Sequence, residues 1–287
     1  MQIFDRFPLR YVAPNAVTCV GLLIGLASVR TSLTATRRED FLTAAWLILY
    51  AVLLDKLDGT VARKLNASSE IGVQLDSFSD FVTFGIAPAA LVSHYVPWAV
   101  PDPWGTGLPH AAALALGGLY AVAAALRLAK FNVTTAAIGP RFFLGLPSTS
   151  SGGILASSLL AHHELGLALS WLQVFLGLLF VNAVMMVSNV PQPKLHLSHN
   201  KLFRFVQVFV VGSVYILVPL HRFPTYIASC AILATVGGFI YGATAGQKVR
   251  VCLCCSREFV SEHAGHRLCG YCRSNAASDD GPYAVAG

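Results

Sequence analysis

The sequence predicts an all-α polytopic membrane protein, and three observations support this fold class. Of the 287 residues, 55% are hydrophobic and only 12% are charged, whereas soluble domains carry about 25% charged residues. The mean hydropathy of the chain is +0.62. The apolar residues are grouped into runs that approach the length of a membrane-crossing helix, about 20 residues. The composition therefore excludes an ordinary soluble domain.

The predicted spans follow one another through residues 1–247, which we interpret as a transmembrane domain. Pro14 and Asn15 open the first span, since proline suits the first turn of a helix and a polar residue can cap it. The fourth is rich in Ala and Gly, the small residues that allow helices to pack closely in lipid. Pro147 and a pair of glycines lie within the fifth, which makes it the weakest. The eight predicted spans cover 14–29, 42–54, 77–96, 110–126, 143–161, 167–188, 205–220 and 226–243.

The basic residues indicate how these spans are oriented. The net charge is +6, and most Lys and Arg residues fall in the amino-terminal segment and in the connectors after even-numbered spans. An even number of spans places both termini on one side, and the positive-inside rule makes that side cytoplasmic. We therefore expect both termini on the cytoplasmic side of a prokaryotic inner membrane. A nucleic-acid partner is not expected, because orientation and anionic lipid account for the charge and no nucleic-acid motif is present.

Four aspartates form the chemical centre of the chain: Asp55, Asp58, Asp76 and Asp80. On helices, the first two are three residues apart and the last two are four apart, so each pair shares a face. Ionisable residues at membrane depth are costly, so they normally face a bundle interior and mark a site. Carboxylates held together in a low dielectric repel each other and would be forced to protonate. Hard divalent cations such as Mg²⁺, Mn²⁺ and Ca²⁺ prefer oxygen ligands and can hold them together.

Small residues and an arginine accompany these acids. Gly59 and Ala62 leave room for a ligand to approach the helix backbone, and Gly72 lies one turn before Asp76. Arg63 carries a planar cation suited to bidentate contact with phosphate. Together these residues predict a diphosphate-binding site near the cytoplasmic face of the membrane. The alternatives are a set of helix-end charges at the membrane surface and a metal-ion transporter. A transporter would need acids spread through the membrane depth, and the later spans contain none.

The pattern D-x2-D-G-x2-A-R-x8-G-x3-D-x3-D, from Asp55 to Asp80, resembles the signature of the CDP-alcohol phosphatidyltransferases, integral membrane enzymes of phospholipid synthesis. The resemblance implies that a hydroxyl attacks a CDP-linked donor such as CDP-diacylglycerol. It implies one or two Mg²⁺ or Mn²⁺ ions on the four aspartates, with Asp80 as the base, Arg63 as a phosphate-stabilising cation, and a homodimer. The nucleotide-binding residues that it implies are Asn15 and Thr18, from a PN-x2-T pattern in the first span, with Gly59, Ala62 and Gly72.

Two further stretches narrow the acceptor alcohol. LDSFSDFVTFGIAPA (75–89), and LRLAKFNV with FLGLPST, look like the phosphatidylserine synthase branch of the family. This implies L-serine as the acceptor. Arg127 and Lys130 are three residues apart, so they can share a helix face near the site, and with Asn132 this cationic pair would suit the carboxylate of the acceptor. Members often have arginine in place of Lys130 and proline in place of Thr149. The alternatives are positive-inside charges beside headgroups, an acceptor such as inositol phosphate or glycerol phosphate, and an archaeal ether-lipid donor.

The carboxyl-terminal residues 248–274 form a separate module with its own motif. Five of the seven cysteines lie here, and four of them, Cys252, Cys255, Cys269 and Cys272, follow the spacing C-x2-C-x13-C-x2-C. Two such pairs suit tetrahedral Zn²⁺ in a reducing compartment, and the module resembles a small zinc ribbon. Cys254, His263 or His266 are alternative ligands, and disulfides or palmitoylation are alternative fates of the thiols. Residues 275–287 are predicted to be a disordered tail.

Overall fold

The computed structural model describes residues 12–64, 70–138, 142–193, 201–244, 248–261 and 267–276, which are mainly helical. The helical part includes a π-helical segment, Phe81–Ile86, and a 3₁₀ turn, Leu169–Gln173. The helices are α1 Val12–Leu33, α2 Arg38–Lys64, α3 Glu70–Asp80, α4 Ala87–Ala99, α5 Pro101–Trp104, α6 Gly107–Ile138, α7 Ser148–Glu164, α8 Val174–Val187, α9 Lys201–Leu217, α10 Pro224–Thr244 and α11 Gly270–Ala276. The strands are β1 Phe142–Leu144, β2 Pro191–Pro193, β3 Lys248–Val251 and β4 Glu258–Ser261, paired antiparallel as β1–β2 and β3–β4.

Five helical stretches among the described residues are long and apolar enough to cross a membrane. They correspond to the first, third, fourth, sixth and eighth predicted spans. The predicted class, a mainly helical membrane protein, is therefore confirmed. The five stretches are Asn15–Leu33, Ile71–Ala99, Gly107–Val133, Leu169–Val187 and Pro224–Tyr241.

The other three predicted spans coincide with α2, α7 and α9. Charges near both ends of α2 shorten its apolar part, and α7 and α9 have 17 residues each. The number of eight spans therefore stays a prediction. α7, the helix of the fifth predicted span, begins later than predicted, at Ser148 instead of Phe143, because residues 142–144 pair with β2 as a strand.

The core is formed by α2, α4, α6, α7 and α8, which bury the large apolar side chains between them. Phe41 on α2 stacks on Tyr95 of α4 with ring centroids 4.6 Å apart, and both side chains are almost fully buried. Apolar side chains on the outside of the bundle are exposed, most clearly along α9, where Phe205 and Phe209 lie. Such faces suit contact with lipid hydrocarbon, so burial of apolar surface against protein is needed only on the inner face of each helix.

A close crossing of α1 with α3 and the π segment brings the amino-terminal helix to the aspartates. A Cβ atom added at Gly25 would lie 2.3 Å from Thr83 Oγ1 and 3.0 Å from Thr83 Cα, so only glycine fits there. The Ser79 hydroxyl donates to the Thr18 carbonyl oxygen at 3.3 Å. Small residues at such crossings let backbones approach and let hydroxyls bond across the interface. This crossing places Thr18 beside the aspartate-bearing helices.

Gly145, in the turn between β1 and α7, tests how closely the backbone is packed at the β1–β2 end of the bundle. Its φ is +70°, and an added Cβ atom would lie 2.5 Å from the Met186 carbonyl oxygen. We expect Gly145→Ala to lower the melting temperature in detergent, because left-handed strain of about 1–2 kcal/mol adds to a backbone clash. Gly166→Ala is the matched control, since Gly166 has φ +61° but no atom near the added carbon. Equal decreases in the two variants would contradict the expected clash.

The β3–β4 hairpin and α11 form a compact module after α10. Its buried centre consists of Phe259 and three cysteines, Cys252, Cys269 and Cys272. β4 and α11 both pack against α6, the helix that carries Arg127 and its neighbours. The predicted tail, 275–287, overlaps the last two residues of α11, and the rest of it, beyond Ala276, lies outside the described residues.

Candidate active site

Three of the four motif aspartates converge at one point. Carboxylate oxygens of Asp55 on α2 and of Asp76 and Asp80 on α3 all lie within 4.8 Å of one another. The three belong to two helices that both pack against α1, so the arrangement is fixed by helix contacts. Three anionic groups this close repel strongly in a low dielectric, and a divalent cation with oxygen ligands would remove that repulsion. The group therefore fits the predicted metal site.

Asp58 occupies a different position from the other three aspartates. Its side chain is buried, and its Oδ2 accepts a hydrogen bond from Thr18 Oγ1 at 3.1 Å. Its Oδ1 accepts the backbone N–H of Gly59 at 2.6 Å. Both oxygens thus have protein donors, although Asp58 lines the same cavity as Asp55, Asp76 and Asp80. Asp58 is held in place by α1, and the other three acids are left facing one another.

The cavity that the aspartates line contains residues that the sequence analysis did not single out. Gly21 of α1 and Ser79 of α3 lie on its wall, together with Ala51, Thr83 and Phe84. Ser79 adjoins Asp80 in sequence, and Gly21 follows Thr18 by one helical turn, so helical spacing from the motif could have identified both. Lys56 pairs with Asp55 at 3.4 Å, but its side chain is mostly exposed, so this pair contributes little stability.

Arg127 is a buried cation close to the acidic group. Its side chain is 7% exposed, and Nη1 donates to Ser148 Oγ on α7 at 2.7 Å. The guanidinium lies 5.5 Å from the centre of the Phe131 ring and interacts electrostatically with Asp80 and Asp55. A buried arginine needs such partners, because isolated burial of its charge would be costly. Arg127 therefore belongs to the electrostatics of the aspartate cavity.

The other two residues expected at the acceptor position have different partners. Lys130 Nζ donates to Asn189 Oδ1, in the connector that follows α8. Asn132 is exposed, and its Nδ2 donates to Ser77 Oγ on α3 at 3.0 Å. Arg127, Lys130 and Asn132 thus lie along the last turns of α6 but contact α7, the α8 connector and α3, respectively. Neither Ser148 nor Asn189 was expected from the sequence; only the FLGLPST stretch gave a signal for Ser148.

The remaining predicted site residues lie on the same helices. Asn15 is half-buried in α1, and Gly72 is half-buried one turn before Asp76 in α3. Gly59 follows Asp58 in α2 and binds it through its N–H group. Ala62 and Arg63 continue α2, and their side chains lie outside the described residues. The structure therefore brings Thr18 and Gly59 to the aspartates.

A second cluster of ligand atoms lies in the carboxyl-terminal module. The Sγ atoms of Cys252, Cys255, Cys269 and Cys272 are all within 4.8 Å of one another, and none of the seven cysteines forms a disulfide. Cys252 Sγ accepts the backbone N–H of Cys269 at 3.2 Å. This geometry fits four thiolates around one Zn²⁺. Of the alternative ligands, Cys254 is exposed and outside the cluster, and His263 and His266 lie outside the described residues.

Comparison with known proteins gives the same family throughout. Residues 11–179, which contain all four aspartates and Arg127, match the family model described as CDP-alcohol phosphatidyltransferase. A Helicobacter pylori (strain J99) protein is 28% identical over 217 residues, which cover 75% of this chain and 86% of that protein. A Methanocaldococcus jannaschii protein is 29% identical over 221 residues, 77% of this chain and 90% of its own. A Mycobacterium leprae protein is 32% identical over 192 residues, which cover 64% of this chain and 59% of that protein. All three are named CDP-diacylglycerol–serine O-phosphatidyltransferase.

Proposed function

Because the chain belongs to the CDP-alcohol phosphatidyltransferase family, we propose that it transfers the phosphatidyl group of CDP-diacylglycerol to the hydroxyl of L-serine. The products are phosphatidylserine and CMP. The observation that carries this proposal is the convergence of the carboxylate oxygens of Asp55, Asp76 and Asp80 within 4.8 Å of one another. The names of the relatives support serine as the acceptor.

The acidic group would supply the ligands for one or two Mg²⁺ or Mn²⁺ ions. Asp55, Asp76 and Asp80 offer oxygens that face one another, and Asp58 adds a fourth carboxylate on the same cavity wall. When bound, a divalent cation neutralises the diphosphate and stabilises negative charge on the departing CMP. Arg63, one turn beyond Gly59, supplies a further cation toward phosphate.

Asp80 accepts the proton of the serine hydroxyl. The serine oxygen then forms a bond to the phosphorus that carries diacylglycerol, and the bond between that phosphorus and the CMP oxygen breaks. CMP leaves with the electron pair of that bond, so one phosphoester replaces one anhydride bond. A positioned carboxylate base of this kind contributes about 10²–10⁴-fold to rate. The nucleotide lies against α1 and α2, where Asn15, Thr18, Gly59 and Ala62, with Gly72 of α3, allow close approach.

The serine carboxylate lies near the carboxyl-terminal turns of α6. Lys130 and Asn132 offer donors there, and Arg127 contributes positive charge from its buried position. In this arrangement Asn189 orients Lys130, and Ser77 orients Asn132. Since Ser77 adjoins Asp76 in α3, the acceptor groups and the metal-binding acids are joined through one helix.

We further propose an eight-span topology in which α2, α7 and α9 cross the membrane together with the five longer stretches. Both termini and the aspartates then face the cytoplasm, because the basic connectors lie on that side. The acyl chains of the donor remain in the lipid-facing part of the bundle. The enzyme is a homodimer, a proposal that rests on the resemblance to the family.

Cys252, Cys255, Cys269 and Cys272 would hold one Zn²⁺ ion in the carboxyl-terminal module. We expect metal analysis of the full-length protein to give about one zinc per chain. Cys269→Ser should lose this zinc, because it replaces one of the four clustered thiolate ligands with a hydroxyl group, which binds Zn²⁺ far more weakly. Cys254→Ser is the matched control and should keep it, since Cys254 is exposed and outside the cluster. Equal zinc contents in the two variants would contradict this ligand set.

The experiment that tests the function is CMP release by the purified protein in detergent with CDP-diacylglycerol and Mn²⁺ or Mg²⁺. Serine, inositol phosphate and glycerol phosphate are supplied separately, and a CDP-linked ether lipid replaces the donor in a parallel series. Release that depends on serine supports the proposal. Release that depends on another acceptor would keep the phosphotransfer chemistry and overturn the assignment of serine.

A further inference from the structure

The π-helical segment Phe81–Ile86 begins directly after Asp80, and the sequence explains why it forms. Pro88 has no N–H group, and its ring crowds the carbonyl of Phe84, four residues earlier. In an α-helix that carbonyl would accept the N–H of residue 88. Here the backbone hydrogen bonds change from a spacing of four residues to a spacing of five, so that the N–H of Ala87 donates to the carbonyl of Val82. Such single π turns often occur at functional sites.

The Phe84 carbonyl finds a donor on another helix. Tyr120 Oη of α6 donates to it at 3.1 Å, and the same hydroxyl lies 2.9 Å from Ser151 Oγ of α7. Ser151 Oγ donates to Asn182 Oδ1 of α8 at 3.0 Å, and Asn182 Nδ2 donates to the Leu178 carbonyl at 2.8 Å. The three side chains are at most 6% exposed. Tyr120 and Ser151 have one hydroxyl proton each, so two of these three contacts are hydrogen bonds at any one time. A buried series of contacting polar groups therefore runs from the π turn across α6 and α7 to α8.

Backbone packing holds the same turn from two sides. A Cβ atom added at Gly152 of α7 would lie 3.1 Å from Phe84 Cδ1 and 3.3 Å from Phe84 Cα. One added at Gly85 would lie 3.1 Å from the Cβ of Ala124 on α6. Phe84 also lines the cavity that contains the aspartates. The π turn thus connects the buried chain of hydroxyl and amide groups to the acidic site.

We propose that Tyr120, Ser151 and Asn182 act as positioning residues, which fix the π turn and thereby the directions of the Asp80 and Asp76 carboxylates. Asp80 is the residue at which the helix changes from α to π geometry. One residue more or fewer per turn rotates the side chains before that point by about 100° relative to those after it. Tyr120 therefore acts on the metal-binding acids through the backbone of Phe84. The role in transfer rests on the proposed function, whereas the effect on metal binding does not.

Tyr120→Phe in the full-length protein tests this role, because it removes the hydroxyl and keeps the buried ring. We expect kcat for serine-dependent CMP release to fall by about 10- to 100-fold, the effect of a small misplacement of reacting groups. KM for serine should stay within about twofold, because Lys130 and Asn132 are held by Asn189 and Ser77, which the variant leaves unchanged. The half-saturating Mn²⁺ concentration, measured both by activity and by direct Mn²⁺ binding in electron paramagnetic resonance, should rise several-fold.

Tyr50→Phe is the matched control. Tyr50 Oη contacts the Pro219 carbonyl at 3.4 Å and His221 Nε2 at 3.2 Å, in the connector between α9 and α10. Removing the Tyr50 hydroxyl should leave kcat and Mn²⁺ binding unchanged. Unchanged kcat and Mn²⁺ binding in folded Tyr120→Phe, with only a lower melting temperature, would overturn the proposal. If Tyr120→Phe does not fold, Ser151→Ala replaces it, with the same readouts and a smaller expected effect. Weaker Mn²⁺ binding in a protein inactive toward serine would sustain the positioning role and reject the acceptor.

Discussion

Asp80→Asn should reduce serine-dependent CMP release by about 10²–10⁴-fold in kcat, because it removes the proton acceptor and a metal ligand together. The change keeps the shape of the side chain, so the buried packing around α3 should survive. Asp76→Asn removes only a ligand in the proposed mechanism. Its loss of activity should therefore be partly recovered at high Mn²⁺, whereas that of Asp80→Asn should not. Initial rates across a Mn²⁺ titration measure both effects.

Asp40→Asn is the matched control for the aspartate variants. Asp40 lies in the first turn of α2, and its Oδ2 accepts the backbone N–H groups of Thr36 and Arg37 at 3.0 Å each. It is on the same helix as Asp55 but far along it, so its variant should keep full activity. If excess Mn²⁺ restores Asp80→Asn as well as Asp76→Asn, Asp80 is a ligand alone and another group accepts the proton.

The sequence could predict which acids form the site but not how each is used. Spacing of three residues placed Asp55 and Asp58 on one face of α2, yet positions three apart are still separated by about 60° around a helix. In the structure that angle is enough to aim Asp55 at α3 and Asp58 at Thr18 of α1. Spacing within one helix does not say which neighbours surround it. Knowing which aspartates face one another and which one binds Thr18 therefore requires the packing of α1 and α3 against α2.

The buried polar chain was even less accessible from the sequence. Tyr120, Ser151 and Asn182 are single polar residues inside apolar runs, and nothing in their spacing indicates that they meet. Pro88 was the usable signal, because a proline inside a span after Asp80 implies an open carbonyl four residues earlier. The cysteine pairs lie at the other extreme. There the ligand spacing itself predicted the cluster, since two short loops bring four thiols together with little help from the rest of the fold.

Arg127→Met should separate two consequences of a buried charge. Without the guanidinium, Asp55 and Asp80 lose their buried cation and Ser148 loses its donor. We expect the metal-free protein to lose about 1–3 kcal/mol of unfolding free energy, because the buried Ser148 hydroxyl is left without its hydrogen-bond donor. Serine-dependent activity should fall by about 100-fold, the loss that a small misplacement of reacting groups can cause.

Mn²⁺ binding should change in the opposite direction. Removing one positive charge makes the cavity more negative, so the Kd for Mn²⁺ should decrease several-fold although the enzyme is less active. Since ligand binding stabilises the folded state, Mn²⁺ should also raise the melting temperature of Arg127→Met more than that of the parent protein. Arg127→Lys should give intermediate values, because it keeps the charge but loses the planar contact with Phe131. Arg30→Met, at the exposed end of α1, is the control and should match the parent. A weaker or unchanged Mn²⁺ affinity in Arg127→Met would mean that Arg127 stabilises the α6–α7 contact and takes no part in the charge balance of the site.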